Sequence, residues 1–248
     1  IFFLILCCYI RYYYFLFFFY YLFNFFNKIK LKDFIKIIFV SFILSIPEII
    51  YLIHIIYNHN YISFISKKAD GNYFTNFIII LTILLFYLIP FFYTKFIKIF
   101  KFYKENFKIL ISILIICTFI LILDKYLFDF INFDSNLGGG VFIKLLKILN
   151  LDFEIILISI FGFSILIIDY IFKGNRVRNY ILLLLLVLCF PMPIIYQKYL
   201  DPLFFIIFFG LIKSDIINNM FINKEYNLIM IYTYFGSFFL FSTLYYKF

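Results

Sequence analysis

An all-α bundle of transmembrane helices, with about eight spans and one short helix lying in the membrane interface, is the fold this sequence predicts. Three observations carry that prediction. Of the 248 residues, 66% are hydrophobic and only 14% charged, against about 25% charged in ordinary soluble domains; lipid is therefore the natural solvent. The apolar residues come in runs close to the roughly 20 residues a helix needs to cross the hydrocarbon core. Lysines and arginines alternate between successive loops, as the positive-inside rule describes.

The first run, Ile1 to Phe26, is interrupted only by Arg11 and is either one long span or the end of a truncated helix followed by a short one. Spans are then expected over Phe34–Tyr57, Phe74–Tyr93, Phe107–Leu123 and Phe153–Phe172. A sixth, Tyr180–Ile195, contains the Pro191-Met192-Pro193 break; a seventh, Tyr199–Ile212, is short; the eighth covers Asn227–Tyr246. The two prolines remove backbone donors, and irregular backbone at membrane depth is tolerated only where protein or a wet cavity surrounds it. The region around them is therefore expected to line a cleft. The chain opens at Ile1 inside an apolar run, without a basic segment or a small-residue cleavage site. It is read as one integral membrane domain, 1–248, lacking its N-terminal part.

Placing the loops after spans one, three, five and seven on one side gathers 14 of the 22 basic residues there, from Lys28 through Lys95–Lys108 and Lys173–Arg178 to Lys224. The positive-inside rule puts that side in the cytoplasm. The opposite side carries Asp70, Asp124, Asp129, Asp134, Asp152 and Asp201. Its loops also hold the least ordinary local sequences, so chemistry is expected there.

The net charge of +9 accompanies 42 Phe and 23 Tyr without Trp. A/T-rich codons account for much of that composition, and basic loops in a membrane protein argue against a nucleic-acid partner. Cys7, Cys8, Cys117 and Cys189 sit in apolar runs without metal-ligand spacing and read as small hydrophobes. His54 and His59 lack a third ligand, so neither a metal nor another cofactor is expected. Glu48, after Pro47 inside span two, must pair, face water or take up a proton. No Ser/His/Asp or Cys/His nucleophile arrangement is visible.

Two loop motifs stand out. The first runs Asp134-Ser135-Asn136-Leu137-Gly138-Gly139-Gly140 and leads into Val141–Asn150. Three glycines let the backbone take positive φ and approach a ligand or another segment closely. Val141, Leu145 and Leu149 recur at helical spacing while Lys144 and Lys147 share another face, which predicts the interfacial helix. Glycine amides at a helix start attract anions, with Lys144 as a pyrophosphate contact, although the pattern is not that of a nucleotide-binding loop. A turn feeding an interfacial helix, without any ligand, accounts for the same residues. The second motif is Pro191-Met192-Pro193-Ile194-Ile195-Tyr196-Gln197-Lys198-Tyr199-Leu200-Asp201-Pro202. It packs a base, an acid and tyrosines between two short helices, where ionisable groups are costly unless they serve a site or pair, as Lys198 and Asp201 can.

Together, Asp-x-Asn-x-Gly-Gly-Gly ahead of a Lys-bearing helix and Lys-Tyr-x-x-Pro between late helices resemble bacterial multi-span glycosyltransferases of the GT-C superfamily. The nearest branch is the family of the eukaryotic α-1,2-glucosyltransferase that completes the lipid-linked oligosaccharide, and the resemblance covers about Asn72 to Ile212. It implies a multi-pass enzyme, of the bacterial inner membrane or alternatively an organellar one. The active cleft would lie on the non-cytoplasmic face, with a sugar on polyprenyl phosphate as donor. By the resemblance, Asp134 and Asn136 would sit in the loop near the cleft and Lys198 and Tyr199 would match the family's basic-Tyr pair, the basic residue holding the donor's phosphate. With Gly138, Gly139, Gly140, Lys144 and Asp201 of the same two motifs they are the residues expected to contact substrate. The family's presumed catalytic acid lies in the first external loop; no Asp or Glu precedes Asp33 here, so the catalytic residue stays unassigned. Two other readings fit the composition: an organelle-encoded membrane subunit of a respiratory complex, and a polytopic transporter, flippase or polymerase.

Overall fold

The structure, a computed structural model, describes residues 17, 20–22, 26, 28–58, 73–123, 139–149, 153–190, 195–197, 200–223 and 227–247. Among them 89% are helical and none lies in a strand, so the fold class is all-α. Contacts group the chain into two compact units, Ile1–Phe77 with Val177–Ile194, and Ile78–Arg176 with Ile195–Phe248.

The first unit contains α1 (Leu31–Asn58), the opening turn of α2 (Tyr73–Phe92) and all but the first residue of α7 (Arg176–Leu188). Large apolar side chains on α1, among them Ile35, Phe39, Phe42 and Ile50, are exposed along its length. A continuous apolar surface of that extent suits lipid rather than water. Within α1 the hydroxyls of Ser41 and Ser45 donate to the carbonyls of Ile37 and Ser41, satisfying themselves inside the helix. On α7 the residues Asn179, Leu182, Leu183, Leu186 and Val187 form the buried stripe, at the three- and four-residue spacing of one helix face.

The sixth span was expected over Tyr180–Ile195; the helix starts at Arg176 and stops at Leu188. Pro191 and Pro193 explain the early stop, because neither can donate to the carbonyls a helix would present to them. The side chain of Asn76 supplies a donor just beyond that end, its Nδ2 lying 2.9 Å from the Phe190 carbonyl. On the first turn of α7, Arg178 Nε donates to the Tyr20 hydroxyl across 2.7 Å and the guanidinium lies 5.3 Å from the same ring's centroid.

The second unit is built around α2. No residue from Ile78 to Leu88 is more than 4% exposed, so protein surrounds this helix on every side. A short 3₁₀ turn, Tyr93–Lys95, joins it to α3 (Phe96–Glu105), and α4 (Phe107–Leu123) follows. After α5 (Gly140–Ile148), α6 (Phe153–Phe172) packs along α4. Their close approach falls at Gly162, where a β-carbon would meet Cys117 Sγ at 2.9 Å. The chain then returns as α8 (Asp201–Phe205), a π-helical turn (Ile206–Leu211), α9 (Asp215–Ile222) and α10 (Leu228–Lys247).

Aromatic rings knit α2 to the late helices. Phe86 meets Tyr234, Phe235 and Phe238, and Tyr87 stacks on Phe204, which stacks in turn on Phe208. Pro90, inside α2, cannot donate to the carbonyl of Phe86 four residues earlier. Tyr234 of α10 donates its hydroxyl to that oxygen instead, at 3.1 Å.

Among the described residues, Thr75–Glu105 and Ile155–Phe172 are long and apolar enough to cross a membrane. Leu203–Leu211 and Asp215–Ile222, bent 93° to each other, make a third if counted as one span. Phe107–Ile120 and Leu228–Thr243 are apolar but shorter. The expected first span, Ile1 to Phe26, lies almost wholly outside the described residues, as does the side chain of Glu48.

Candidate functional site

The triple-glycine motif and the segment after the proline pair, more than fifty residues apart in sequence, meet in the second unit. Gly139 caps α5 in the left-handed region, at φ 86° and ψ −9°, and Gly140 follows at φ 81°. This geometry turns the chain into the helix and brings its backbone against residues 195–197. The Gly139 N–H donates to the Ile195 carbonyl at 2.8 Å, and the Val141 N–H donates to Gln197 Oε1 at 3.1 Å. A β-carbon on Gly140 would lie 2.6 Å from Ile83 Cγ1 on α2 and 3.6 Å from Gln197 Oε1. Glycine is needed there for both its φ and its size.

The sequence suggested the glycine amides as an anion cradle. Two of the amides at this turn are instead committed to residues 195 and 197. The helix start therefore serves to hold the second motif in place, and anion binding at those N–H groups is not what this turn offers.

Polar capacity at the site lies with the second motif. Gln197 Nε2 and Asp201 Oδ1 are both buried, and among the described residues neither has a hydrogen-bond partner. They belong to one tight turn, in which Leu200 N–H donates to the Gln197 carbonyl at 2.8 Å and Phe204 N–H to the Leu200 carbonyl at 2.7 Å. A buried donor and a buried acceptor left unmatched are costly. Asp201 is the first residue of α8.

Of the residues singled out in the sequence, Gly139, Gly140 and Asp201 fall in this region, and Lys144 stands half-buried on α5, one turn after Gly140. Asp134, Asn136, Gly138, Lys198 and Tyr199 lie outside the described residues, as do His59, Asp124 and Asp129. On α5, Ile143 and Leu146 are buried with Gly140, whereas Leu145 and Leu149 of the apolar stripe are exposed. Contact with α6 and with Ile83 selects that inward face, leaving the other leucines outward.

Gln197 and Ile83 are the site residues that the sequence reading passed over. Gln197 stands beside Lys198 in the quoted motif, where a neutral amide attracts less notice than a charge. Ile83 is one apolar residue in a helix full of them and carries no local signal. Among the described residues no group of three metal-ligating side chains converges. No protein-family model, no characterised protein and no solved structure matches this chain.

Proposed function

We infer that the chain is a multi-pass membrane glycosyltransferase that takes its sugar from a polyprenyl-phosphate donor on the non-cytoplasmic face of a bacterial inner membrane. One observation carries the reading: the Gly139 amide is hydrogen-bonded to the Ile195 carbonyl. The last glycines of the first motif thus meet the stretch that leads into Lys198-Tyr199, which supports a shared cleft. In this reading the eight apolar runs all cross the bilayer, α5 lies at the interface, and the basic loops face the cytoplasm.

Lys198 and Lys144 then hold the donor's phosphate, whose charge grows as the glycosidic bond breaks. Asp134 and Asn136 border the cleft, and Gln197 and Asp201 meet a sugar hydroxyl with their unmatched donor and acceptor. Tyr199 forms part of the wall. The catalytic acid or base belongs to a part of the site not yet assigned.

The test is glycosyl transfer from a set of polyprenyl-phosphate sugars, measured in membranes that carry the protein in its full length. Turnover that falls by roughly a hundredfold or more in Lys198→Ala and Asp134→Ala supports the assignment. Absence of turnover with every donor, or turnover that both substitutions leave intact, defeats it. Sidedness is checked separately: cysteines placed at Gln197 and at Lys104 in a cysteine-free background should label from opposite sides of the membrane.

The 93° bend between Leu203–Leu211 and Asp215–Ile222 favours a second reading, a transporter with a broken helix at membrane depth. That reading predicts uptake or flipping of a lipid-linked sugar without transfer, which the same membranes report.

A further inference from the structure

Away from the glycine turn, the junction of α3 with α4 and the turn joining α6 to α7 enclose an open cleft of ≈ 480 Å³, lined by Phe102, Glu105, Asn106, Lys173, Gly174 and Arg176 among others. Its two cations are held rather than trailing in solvent. Lys173 Nζ lies 4.7 Å from the centroid of the Phe102 ring. Arg176 Nη2 lies 3.1 Å from Asp169 Oδ2, which also accepts from the Tyr103 hydroxyl at 3.2 Å. Gly174 makes the turn between the two basic residues at φ 100°, a conformation open to glycine.

The Arg176 side chain stays 42% exposed while that of Asp169 is 8% exposed, and Arg176 lines the cleft. Lys101, Lys104 and Lys108 are exposed on the same helices, and Glu105 is the one acidic side chain in the lining. Ile97, Phe100 and Phe107 are also exposed on these two helices. Fixed cations at the end of a helix long and apolar enough to cross a membrane match the chemistry of a lipid headgroup.

We propose that this cleft binds a phosphate group, with Lys173 and Arg176 as its ligands, and that an anionic phospholipid brings it there. The site shares no residue with the one around Gly139 and Gln197 and stands whether or not the chain transfers sugar. Glu105 is placed to limit its affinity by like-charge repulsion.

The test uses the full chain in nanodiscs of phosphatidylcholine containing phosphatidylglycerol, with retained lipid counted by native mass spectrometry. A thermal-shift titration with inorganic phosphate runs in parallel. Lys173→Gln, which leaves the Arg176–Asp169 pair intact, should lower phosphatidylglycerol retention about fivefold. Glu105→Gln should raise retention roughly threefold, a gain that misfolding cannot mimic, and Lys28→Gln, outside the cleft, should change nothing. Retention that neither Lys173→Gln nor Glu105→Gln alters overturns the site, as does a protein that responds to neither lipid nor phosphate. A thermal shift with inorganic phosphate that Lys173→Gln abolishes, without lipid retention, keeps the phosphate site and overturns the lipid as its source.

Discussion

Tyr234 donates its hydroxyl to the carbonyl oxygen of Phe86 across 3.1 Å, at the rung of α2 that Pro90 leaves without an N–H donor. Protein encloses α2 here and leaves no room for water to take that place, so a neighbouring helix must. The bond thereby ties α10 to the central helix at the point where the latter's own ladder fails.

Tyr234→Phe should therefore cost about 1 kcal/mol of stability, the usual worth of an interhelical hydrogen bond in a membrane. The ring contacts with Phe86 survive the change, so the loss reports the hydroxyl. With Pro90→Ala, which restores the backbone donor, the same substitution should cost clearly less. A double-mutant cycle on detergent-solubilised protein, read as unfolding in graded denaturant, measures the difference. Equal losses in both backgrounds would show that the hydroxyl does not compensate for the proline.

Gly140→Ala should destabilise the protein by roughly 1–3 kcal/mol, from backbone strain at φ 81° together with the 2.6 Å approach of Ile83 Cγ1. Ile83→Ala removes that carbon but leaves a cavity of its own, costing about 2–5 kcal/mol. The two losses should be less than additive when combined, because only the strain remains for the second substitution to add. Full additivity would mean that the contact is relieved by another route.

At the α6–α7 turn, Arg176→Gln removes the guanidinium 3.1 Å from Asp169, a carboxylate only 8% exposed. Loss of a partner from a largely buried charge should cost roughly 2–3 kcal/mol, less than for a pair buried on both sides because Arg176 reaches solvent. Asp169→Asn in the same background should recover most of that loss, since the neutral amide can still accept from the Tyr103 hydroxyl. Denaturant midpoints of the single and double variants test this, and a double variant less stable than Arg176→Gln alone would contradict it.

By itself the sequence determined the long apolar helices. Unbroken apolar runs ending at lysines, glycines or acidic residues located Phe107–Leu123 and Phe153–Phe172 as the structure has them, and placed α1, α2 and α10 within a few residues. Where prolines interrupt the pattern, at 191 and 193, the expected span and the observed helix part company, because the missing donors end α7 at Leu188 while the apolar run continues. Only the tertiary structure decided which apolar faces are buried against protein and which stay exposed. A Leu or Ile is equally at home against either, so hydropathy cannot separate the enclosed α2 from the exposed α1. The same blindness hid the site: Gly140 is required by Ile83, and Gln197 by the Val141 amide. Each of those partners comes from a different stretch of chain, and no pattern within one stretch announces the other.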